Sequence, residues 1–161
     1  MKVRSKTITL DDVDWEILKL LQQNSSRTYS EMGRQLKVAH STVYERIKRM
    51  EQFGIIAGYT VAVNHEKLGI RPITAIMTVF TDPKLTEKVA EKLSEMSEAV
   101  EVNTSLSEEL LIIAKVVADD QEKLHSFIAH KVVPLPGVTR IRTSIVTRKF
   151  KEAQLPLEHL E

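Results

Sequence analysis

The chain has 161 residues, of which 42% are hydrophobic and 5% aromatic, so one domain or two small ones can bury a mainly aliphatic core. It contains no cysteine, which excludes a disulfide framework, a thiolate zinc site and a cysteine nucleophile. The basic N-terminus runs directly into acidic residues and no apolar run reaches the ~18 residues of a membrane span, which predicts a soluble cytoplasmic protein.

Charge is distributed unevenly along the chain. Residues 1–60 carry 10 Lys and Arg against 7 Asp and Glu, whereas residues 61–161 carry 13 against 15. The excess is concentrated in residues 27–49, where six basic residues accompany only Glu31 and Glu45. A positive cluster of this kind is typical of a phosphate-binding surface, although solvated charge runs are also common.

Two amphipathic helices are predicted first. Residues 13–21 have apolar positions that recur at i, i+4, i+7 and i+8, and the three aspartates at 11, 12 and 14 favour a helix N-terminus there. After a polar break, Thr28 and Glu31 have the spacing of a capping box that opens a short helix ending at Leu36. Gly33 lies inside this second helix, which indicates that another helix approaches closely there.

A third helix is predicted from Ser41 or Thr42, with Thr42 and Glu45 as a second capping box and an apolar stripe at Val43, Ile47 and Met50. Three short helices, the last two joined by a tight turn, are typical of a helix-turn-helix, whose last helix enters the major groove. The predicted contacts near base edges are His40, Ser41, Thr42, Tyr44 and Glu45, and those near phosphates are Lys48 and Arg49.

Two further basic residues complete the predicted DNA-binding set. Arg27 belongs to the basic cluster, and Arg46 flanks the apolar stripe of the third helix. The position of Arg46 suits an intramolecular ion pair or a packing role as well as a DNA contact. The helix by itself is equally compatible with a basic surface that only covers a core, so the neighbouring segments have to decide.

Four segments carry a resemblance to a known family. They are LDDVDWEILKLLQ at 10–22, STVYERIKRMEQFGII at 41–56, GIIAGYTVAVNHEKLG at 54–69 and LPGVTRIRTSIV at 135–146. They resemble the opening helix, the recognition helix, the interdomain segment and the last strand of the Lrp/AsnC transcriptional regulators. The resemblance spans nearly the whole chain and implies an N-terminal DNA-binding domain followed by a regulatory domain.

The sequence departs from the family pattern just before the third helix. Ala39 stands where the family usually has a capping serine, and Lys37 where it usually has a glycine. Because alanine has no side-chain acceptor, Ser41 or Thr42 would have to cap the helix. Lys37 would have to tolerate a strained turn, unless the turn itself differs. An exposed Lys37 is equally compatible with a phosphate contact and with a solvated lysine.

Residues beyond 58 are predicted to form a βαββαβ unit. The expected elements are a short strand ending at Val63, then strand 73–81, helix 85–96, strands 99–106 and 110–117, helix 120–131 and strand 138–149. This order predicts a ferredoxin-like sandwich with both helices on one sheet face. The uncovered face is then expected to mediate dimerisation, and the resemblance implies further association, up to octamers.

The resemblance also implies an amino-acid effector site formed between protomers at the loop joining the two middle strands. In this loop Leu106 replaces the family's glycine and Ser107 its first aspartate, while Glu109 takes the place of the second. Thr143 matches a threonine of the last strand near that pocket. Ser107, Glu109 and Thr143 are therefore the candidate effector residues, and a changed effector and no effector remain equally open.

The sequence offers no constellation typical of an enzyme. His125 and His130, at i and i+5 on one predicted helix, cannot chelate one metal as an i, i+4 pair can, and Asp119 and Asp120 are explained as helix cap and dipole partners. No phosphate loop, dinucleotide motif or activated serine is present. No metal and no cofactor are expected. A small enzyme on a ferredoxin-like fold is an unfavoured alternative.

Taken together, the sequence predicts an α+β protein with four parts. Residues 1–58 form a helix-turn-helix (winged-helix-like) DNA-binding domain, 59–70 a linker strand and turn, 71–150 a ferredoxin-like regulatory and dimerisation domain, and 151–161 a C-terminal tail. The expected function is that of a nucleoid-associated homodimeric regulator of pseudo-palindromic double-stranded DNA. An architectural protein that coats DNA with little sequence preference is the alternative.

Overall fold

The computed structural model describes residues 9–65, 67–106, 109–152 and 157. These residues fall into two compact units, the first formed by 9–63 with 151, 152 and 157, and the second by 64–150. The division lies within the segment expected to be the linker. No helix in the described ranges is long and apolar enough to cross a membrane.

Three helices form the first unit: α1 (Asp12–Gln23), α2 (Tyr29–Leu36) and α3 (His40–Gln52). The predicted capping box at the start of α2 is confirmed, since the Thr28 side chain accepts the Glu31 amide and the Glu31 side chain accepts the Thr28 amide. A second box, between Asp11 and Asp14, opens α1. Each box satisfies two backbone donors that a helix N-terminus leaves without intrahelical partners.

The apolar stripes of these helices meet in one aliphatic core. Its fully buried members are Ile17, Leu20, Met32, Val43, Ile47 and Met50. Burying a side chain of this size contributes about 1.5 to 3 kcal/mol relative to leaving it exposed. The stripes predicted for the first and third helices therefore face inward, which leaves the opposite side of α3 on the surface.

Two local predictions in this unit are wrong. The third helix begins at His40 and not at Ser41 or Thr42, and its N-cap Ala39 makes no side-chain hydrogen bond. The extended backbone of Ala39 already places its carbonyl 3.2 Å from the Val43 amide, so the helix starts without a side-chain cap. The predicted strand ending at Val63 is also absent, since residues 9–65 contain no strand and so no β-wing.

The turn between α2 and α3 depends on a close approach at Gly33. A Cβ at this position would lie 2.8 Å from the Val38 carbonyl oxygen and 3.3 Å from the His40 nitrogen. The Val38 amide donates to the Gly33 carbonyl at 2.9 Å, which closes the end of α2. The approaching group is thus the backbone of the turn and the first residue of α3.

The second unit has the predicted βαββαβ order. Its elements are β1 (Ile73–Thr81), α4 (Thr86–Ser94), β2 (Ala99–Leu106), β3 (Leu110–Ala118), α5 (Gln121–Phe127), a π-helix (Ile128–Val132) and β4 (Val138–Ile145). All three strand pairings are antiparallel, and the strand order is β2-β3-β1-β4. The Asp120 side chain caps α5 by accepting the Lys123 amide, as predicted.

The sheet buries one face against both helices. Alternating residues of β1 and β3, including Met77 and Ile112, pack with Val89, Leu93 and Phe127 of the two helices. This arrangement confirms the ferredoxin-like sandwich. Two details differ from the prediction. The second helix of this unit continues beyond Phe127 as a π-helix. The last strand, β4, ends at Ile145, where its pairing with β1 stops, and does not extend to residue 149.

The tight turn at Gly33 leads to a test of the first unit. Gly33→Ala is expected to destabilise that unit by about 1 to 3 kcal/mol, because the added methyl would overlap a backbone carbonyl that cannot move independently. The single tryptophan, Trp15, lies on α1 and reports urea unfolding of this unit by fluorescence. Gly58→Ala is the control, since nothing lies within 4 Å of its added methyl. Equal stabilities for the two variants would contradict the close approach.

Candidate nucleic-acid interface

One long side of α3 is polar and open to solvent. Val43, Ile47 and Met50 anchor the helix with at most 1% exposure, and the residues opposite them are on the surface. A shallow concavity of about 470 Å³ runs along this side, lined by Ser41, Thr42, Glu45, Arg46 and Arg49. Five of the predicted DNA-binding residues are thereby brought onto one surface. His40 is exposed at the first position of the helix.

A fully buried carboxylate, Asp14, lies beneath this surface. Its Oδ1 accepts Arg46 Nη1 at 2.8 Å and its Oδ2 accepts Arg49 Nη2 at 2.6 Å. Arg46 Nη1 also donates to both carboxylate oxygens of Asp11, each at 2.7 Å. Two arginines of α3 are therefore held by two aspartates at the start of α1. The intramolecular ion pair that the sequence left open for Arg46 is present.

These contacts change the electrostatics of the helix. The hydrogen bond from Arg46 lowers the pKa of Asp11 below its ordinary value of 3.8. The same bond raises the pKa of Arg46, which stays protonated. The two aspartates offset the charges of Arg46 and Arg49, so the net charge of residues 27–49 overstates the positive field at this surface. Arg49 nevertheless keeps 43% of its side chain exposed.

Asp14 is a positioning residue that the sequence interpretation missed. Its place in the first turn of a helix was explained by the helix dipole, and the spacing of 32 to 35 residues to the arginines gives no local signal. One signal was available: the stripe of α1 places Asp14 beside Val13 and Ile17, close to a core where an unpaired carboxylate would be costly.

An aromatic pair borders the same surface. The rings of Tyr29 and Tyr44 meet edge to face with centroids 5.6 Å apart, and both side chains are about 40% exposed. The Lys48 ammonium lies 6.0 Å from the Tyr44 ring centroid and 3.5 Å from a Glu51 carboxylate oxygen. Tyr29, the first residue of α2, had no predicted role, and its contact restricts the orientation of Tyr44.

Arg27 lies elsewhere in the unit. Its guanidinium donates to Gln35 Oε1 at 2.9 Å and to Gln23 Oε1 at 3.5 Å, so it links α2 to the end of α1. Its hydrogen bonds are thus made away from α3. Within the described ranges, no group of three or more His, Cys, Asp or Glu residues is placed to hold a metal ion.

The candidate effector residues are not brought together within one chain. Ser107 lies outside the described residues. Thr143 of β4 pairs with Met77 of β1, which on its other side pairs with Ala114 of β3. Glu109 precedes Ala114 by five residues, which is roughly 15 Å along a strand. Glu109 lies instead 4.0 Å from Arg140. A ligand that touched both Glu109 and Thr143 would need residues from two protomers.

Two family models match the chain. The model of the AsnC-type helix-turn-helix domain matches residues 10–51, and the model of the Lrp/AsnC ligand binding domain matches residues 74–156. The first match contains both aspartates and all of α3 except Gln52, and the second contains the four-stranded sheet except Ile73.

Similar proteins are named as transcriptional regulators. The HTH-type transcriptional regulator Ptr1 of Methanocaldococcus jannaschii is 33% identical over 150 residues, which cover 92% of this chain and 99% of the relative. LrpA of Pyrococcus horikoshii is 34% identical over 142 residues, covering 88% and 99%.

Solved structures share the fold. The structure of Escherichia coli AsnC superposes with a TM-score of 0.81 at 23% identity, covering 92% of this chain and 99% of that one. A transcriptional regulator of Neisseria meningitidis, solved as an L-Met complex, gives a TM-score of 0.81 at 24% identity and covers 95% and 100%.

The contact between Asp11 and Arg46 predicts an acid-sensitive first unit. Because the pKa of Asp11 is lowered on folding, its stabilising contribution is complete above pH 3.8 and is lost as pH falls through the lowered value. Asp11→Asn retains a capping oxygen but no charge, so its urea midpoint should fall less than that of the wild type between about pH 4 and pH 2.5. Asp12→Asn is the control, because it removes a charge from the same turn. Parallel pH profiles for wild type and Asp11→Asn would refute this role.

Proposed function

The chain belongs to the Lrp/AsnC family of transcriptional regulators, and we propose that it binds pseudo-palindromic operators sequence-specifically as a homodimer. The observation that carries the proposal is the exposed polar side of α3, which is fixed from below by the aliphatic core and by Asp14. Because both the core and the Asp14 ion pairs fix the helix, it can present side chains to a groove with little loss of conformational entropy on binding. As a DNA-bound regulator, the protein is expected to be nucleoid-associated in the cytoplasm.

The arrangement supports a division of the contacts along α3. In a helix-turn-helix the N-terminal part of the second helix reaches the base edges, which assigns Ser41, Thr42 and Tyr44 to direct readout, with His40 and Glu45 beside them. Lys48 lies one turn further on and is assigned to a phosphate. Arg49 retains exposed guanidinium surface and can orient toward a phosphate while Asp14 holds its Nη2.

The open face of the sheet supports the homodimer. Its centre is mainly apolar, with Ile76 at 38% and Ile113 at 37% exposure, although Lys115 lies opposite Ile76. The Arg140 guanidinium lies 3.8 Å from the Phe80 ring centroid. Polar side chains occupy both edges of this face: Glu101, Asn103 and Ser105 on β2, and Arg140, Arg142 and Ser144 on β4. An apolar centre with a polar rim is the composition of a protein interface. Packing about a two-fold axis parallel to the strands would place the Glu101 edge of one protomer near the basic β4 edge of its partner.

We further propose that any effector binds between protomers and differs from the usual amino acids of the family. Leu106 is 80% exposed at the end of β2, where a bulky side chain hinders close approach of a ligand to the backbone. The L-Met complex of the Neisseria regulator supports testing amino acids as the first class of ligand. We also propose that dimers associate into octamers. Residues 59–70 are proposed to link the DNA-binding domain to the regulatory and dimerisation domain.

Selection of binding sites from random duplex DNA tests the proposed function. A specific regulator should enrich a pseudo-palindrome whose half-sites are about 34 Å apart, and should bind it at least 10³-fold more tightly than random duplex at physiological salt. Repeating the selection with a pool of amino acids tests the effector. A ratio near unity would indicate an architectural DNA-coating protein, and no binding to any duplex would reject both roles.

Substitutions on α3 should separate phosphate contacts from base contacts. Lys48→Ala is expected to reduce the affinity for all duplexes alike and to reduce the slope of log K against log salt concentration by about 0.9 per protomer. Tyr44→Ala and Ser41→Ala should cost about 1 to 3 kcal/mol on the selected site and less on random DNA. Fluorescence anisotropy at several salt concentrations measures both quantities. Equal losses of Tyr44→Ala on both DNAs would reassign that residue to the backbone.

The proposed sheet interface can be tested by introducing a charge at its centre. Ile76→Lys places a second ammonium beside Lys115 in the centre of this face and should dissociate the protein toward a species of 18.3 kDa, because burying an additional like charge is costly. Val133→Lys is the matched control, since Val133 is an exposed valine outside the sheet. Sedimentation velocity distinguishes the two. A dimer that survives Ile76→Lys but not Val133→Lys would move the interface to the helical face.

A further inference from the structure

The turn that leads into α3 contains an unusual backbone conformation. Lys37 has φ 57° and ψ 40°, and no other non-glycine residue in the described ranges has a positive φ. In this left-handed region the Cβ of an L-residue crowds the backbone, so glycine adopts it at much lower cost. The conformation is required here, because the Val38 amide must turn back to reach the Gly33 carbonyl at 2.9 Å.

The backbone therefore gives no reason for a lysine at this position. Glycine would close the same turn without strain, and asparagine would tolerate it better than lysine. Any advantage of Lys37 has to come from its side chain. Strain of this kind, when the surrounding structure maintains it, is frequently found at functional positions.

The side chain is exposed and has no partner within the described residues. This distinguishes it from most basic residues of the cluster. Arg46 and Arg49 bind aspartates, Lys48 lies near Glu51, and Arg27 donates to two glutamines. Arg34 is exposed as well, but it occupies the last turn of α2, where a cation stabilises the helix dipole. Lys37, the C-cap of the same helix, also interacts favourably with the dipole, but its ammonium has no acidic partner within the described residues.

Its position points to the use of that charge. Lys37 lies three residues before His40, which is at most about 10 Å along the chain from the end of the helix proposed to enter the groove. The sugar-phosphate backbone borders the groove on both sides, and a flexible lysine reaches a phosphate as a point charge. Resting on the proposed DNA-binding function, we infer that Lys37 is a DNA-phosphate contact, retained at a strained turn because its ammonium neutralises a phosphate beside the recognition helix.

Three substitutions separate charge from strain at this position. Lys37→Gly removes both, Lys37→Ala removes the charge and keeps the strain, and Lys37→Arg keeps both. The full-length protein is titrated by fluorescence anisotropy onto the selected site and onto random duplex over a range of salt, and its Tm is recorded. Lys88→Ala, which removes an exposed charge from α4, is the control for net charge.

A phosphate contact predicts opposite effects on stability and binding. Lys37→Gly should raise Tm by roughly 2 to 8 °C, because the turn loses its strain. It should nevertheless reduce the affinity for the selected site and for random duplex by roughly 3- to 10-fold, and reduce the salt slope by about 0.9 per bound protomer. Lys37→Ala should bind as weakly as Lys37→Gly, without the gain in Tm. Lys37→Arg should bind like the wild type. If Lys37→Ala is too unstable to assay, Lys37→Gly against Lys37→Arg carries the test.

Other outcomes overturn the inference in distinguishable ways. Wild-type affinity and slope for Lys37→Gly would show that the lysine is merely solvated, while the proposed function stands. A loss in Lys37→Gly alone, with Lys37→Ala unaffected, would assign the effect to a loosened turn. An equal loss of DNA affinity in Lys88→Ala would show that the effect comes only from the change in net charge. Absence of DNA binding by the wild-type protein would refute the proposed function itself.

Discussion

The buried carboxylate of Asp14 is the interaction on which the presentation of the recognition helix depends. A carboxylate with no exposed surface is tolerated only when hydrogen bonds and opposite charge replace its water, and Arg46 and Arg49 supply both. Each bond joins α1 to α3 across more than 30 residues of sequence. The apolar stripe of α3 determines which side faces inward, and the two charged bonds add a directional constraint on its rotation.

The same pairing divides the basic residues into two groups. Arg46 and Arg49 are largely committed to holding the helix, and their charges are offset by Asp11 and Asp14. The proposed phosphate contacts are Lys48 and Lys37, together with the exposed part of the Arg49 guanidinium. This division resembles the general organisation of protein–DNA interfaces, in which backbone contacts set position and a few side chains read the bases. The sheet face contributes separately, because its exposed isoleucines are the proposed contact with a second copy of the chain, which would give a two-fold symmetric DNA site.

Much of the fold could be predicted because its signals are local. The apolar periods identified α1 and α3, the Thr28 and Glu31 spacing identified the start of α2, and the order of apolar strands and helices gave the βαββαβ unit. The starting residue of α3 could not be predicted, because it depends on the backbone angles of Ala39 and not on a capping side chain. The strand expected to end at Val63 has the alternation of a strand, yet no other described strand pairs with it.

The candidate site was predictable in its residues and not in their connections. Helical spacing placed Ser41, Thr42 and Glu45 on one side of α3, as the structure shows. The partners of Arg46 and Arg49 lie at the other end of the domain's sequence, so no spacing could reveal them. The effector residues illustrate the same limit, since strand register separates Glu109 from Thr143.

We propose that the outward side of α3 reads the DNA, and an NMR titration can test this. Backbone amide signals of the isotope-labelled full-length protein are followed while a short duplex carrying the selected site is added. We expect the largest shifts at His40, Ser41, Thr42 and Tyr44, smaller ones at Lys37 and Lys48, and little change in the sheet core. Shifts confined to the sheet or to the outer side of α1 would contradict it.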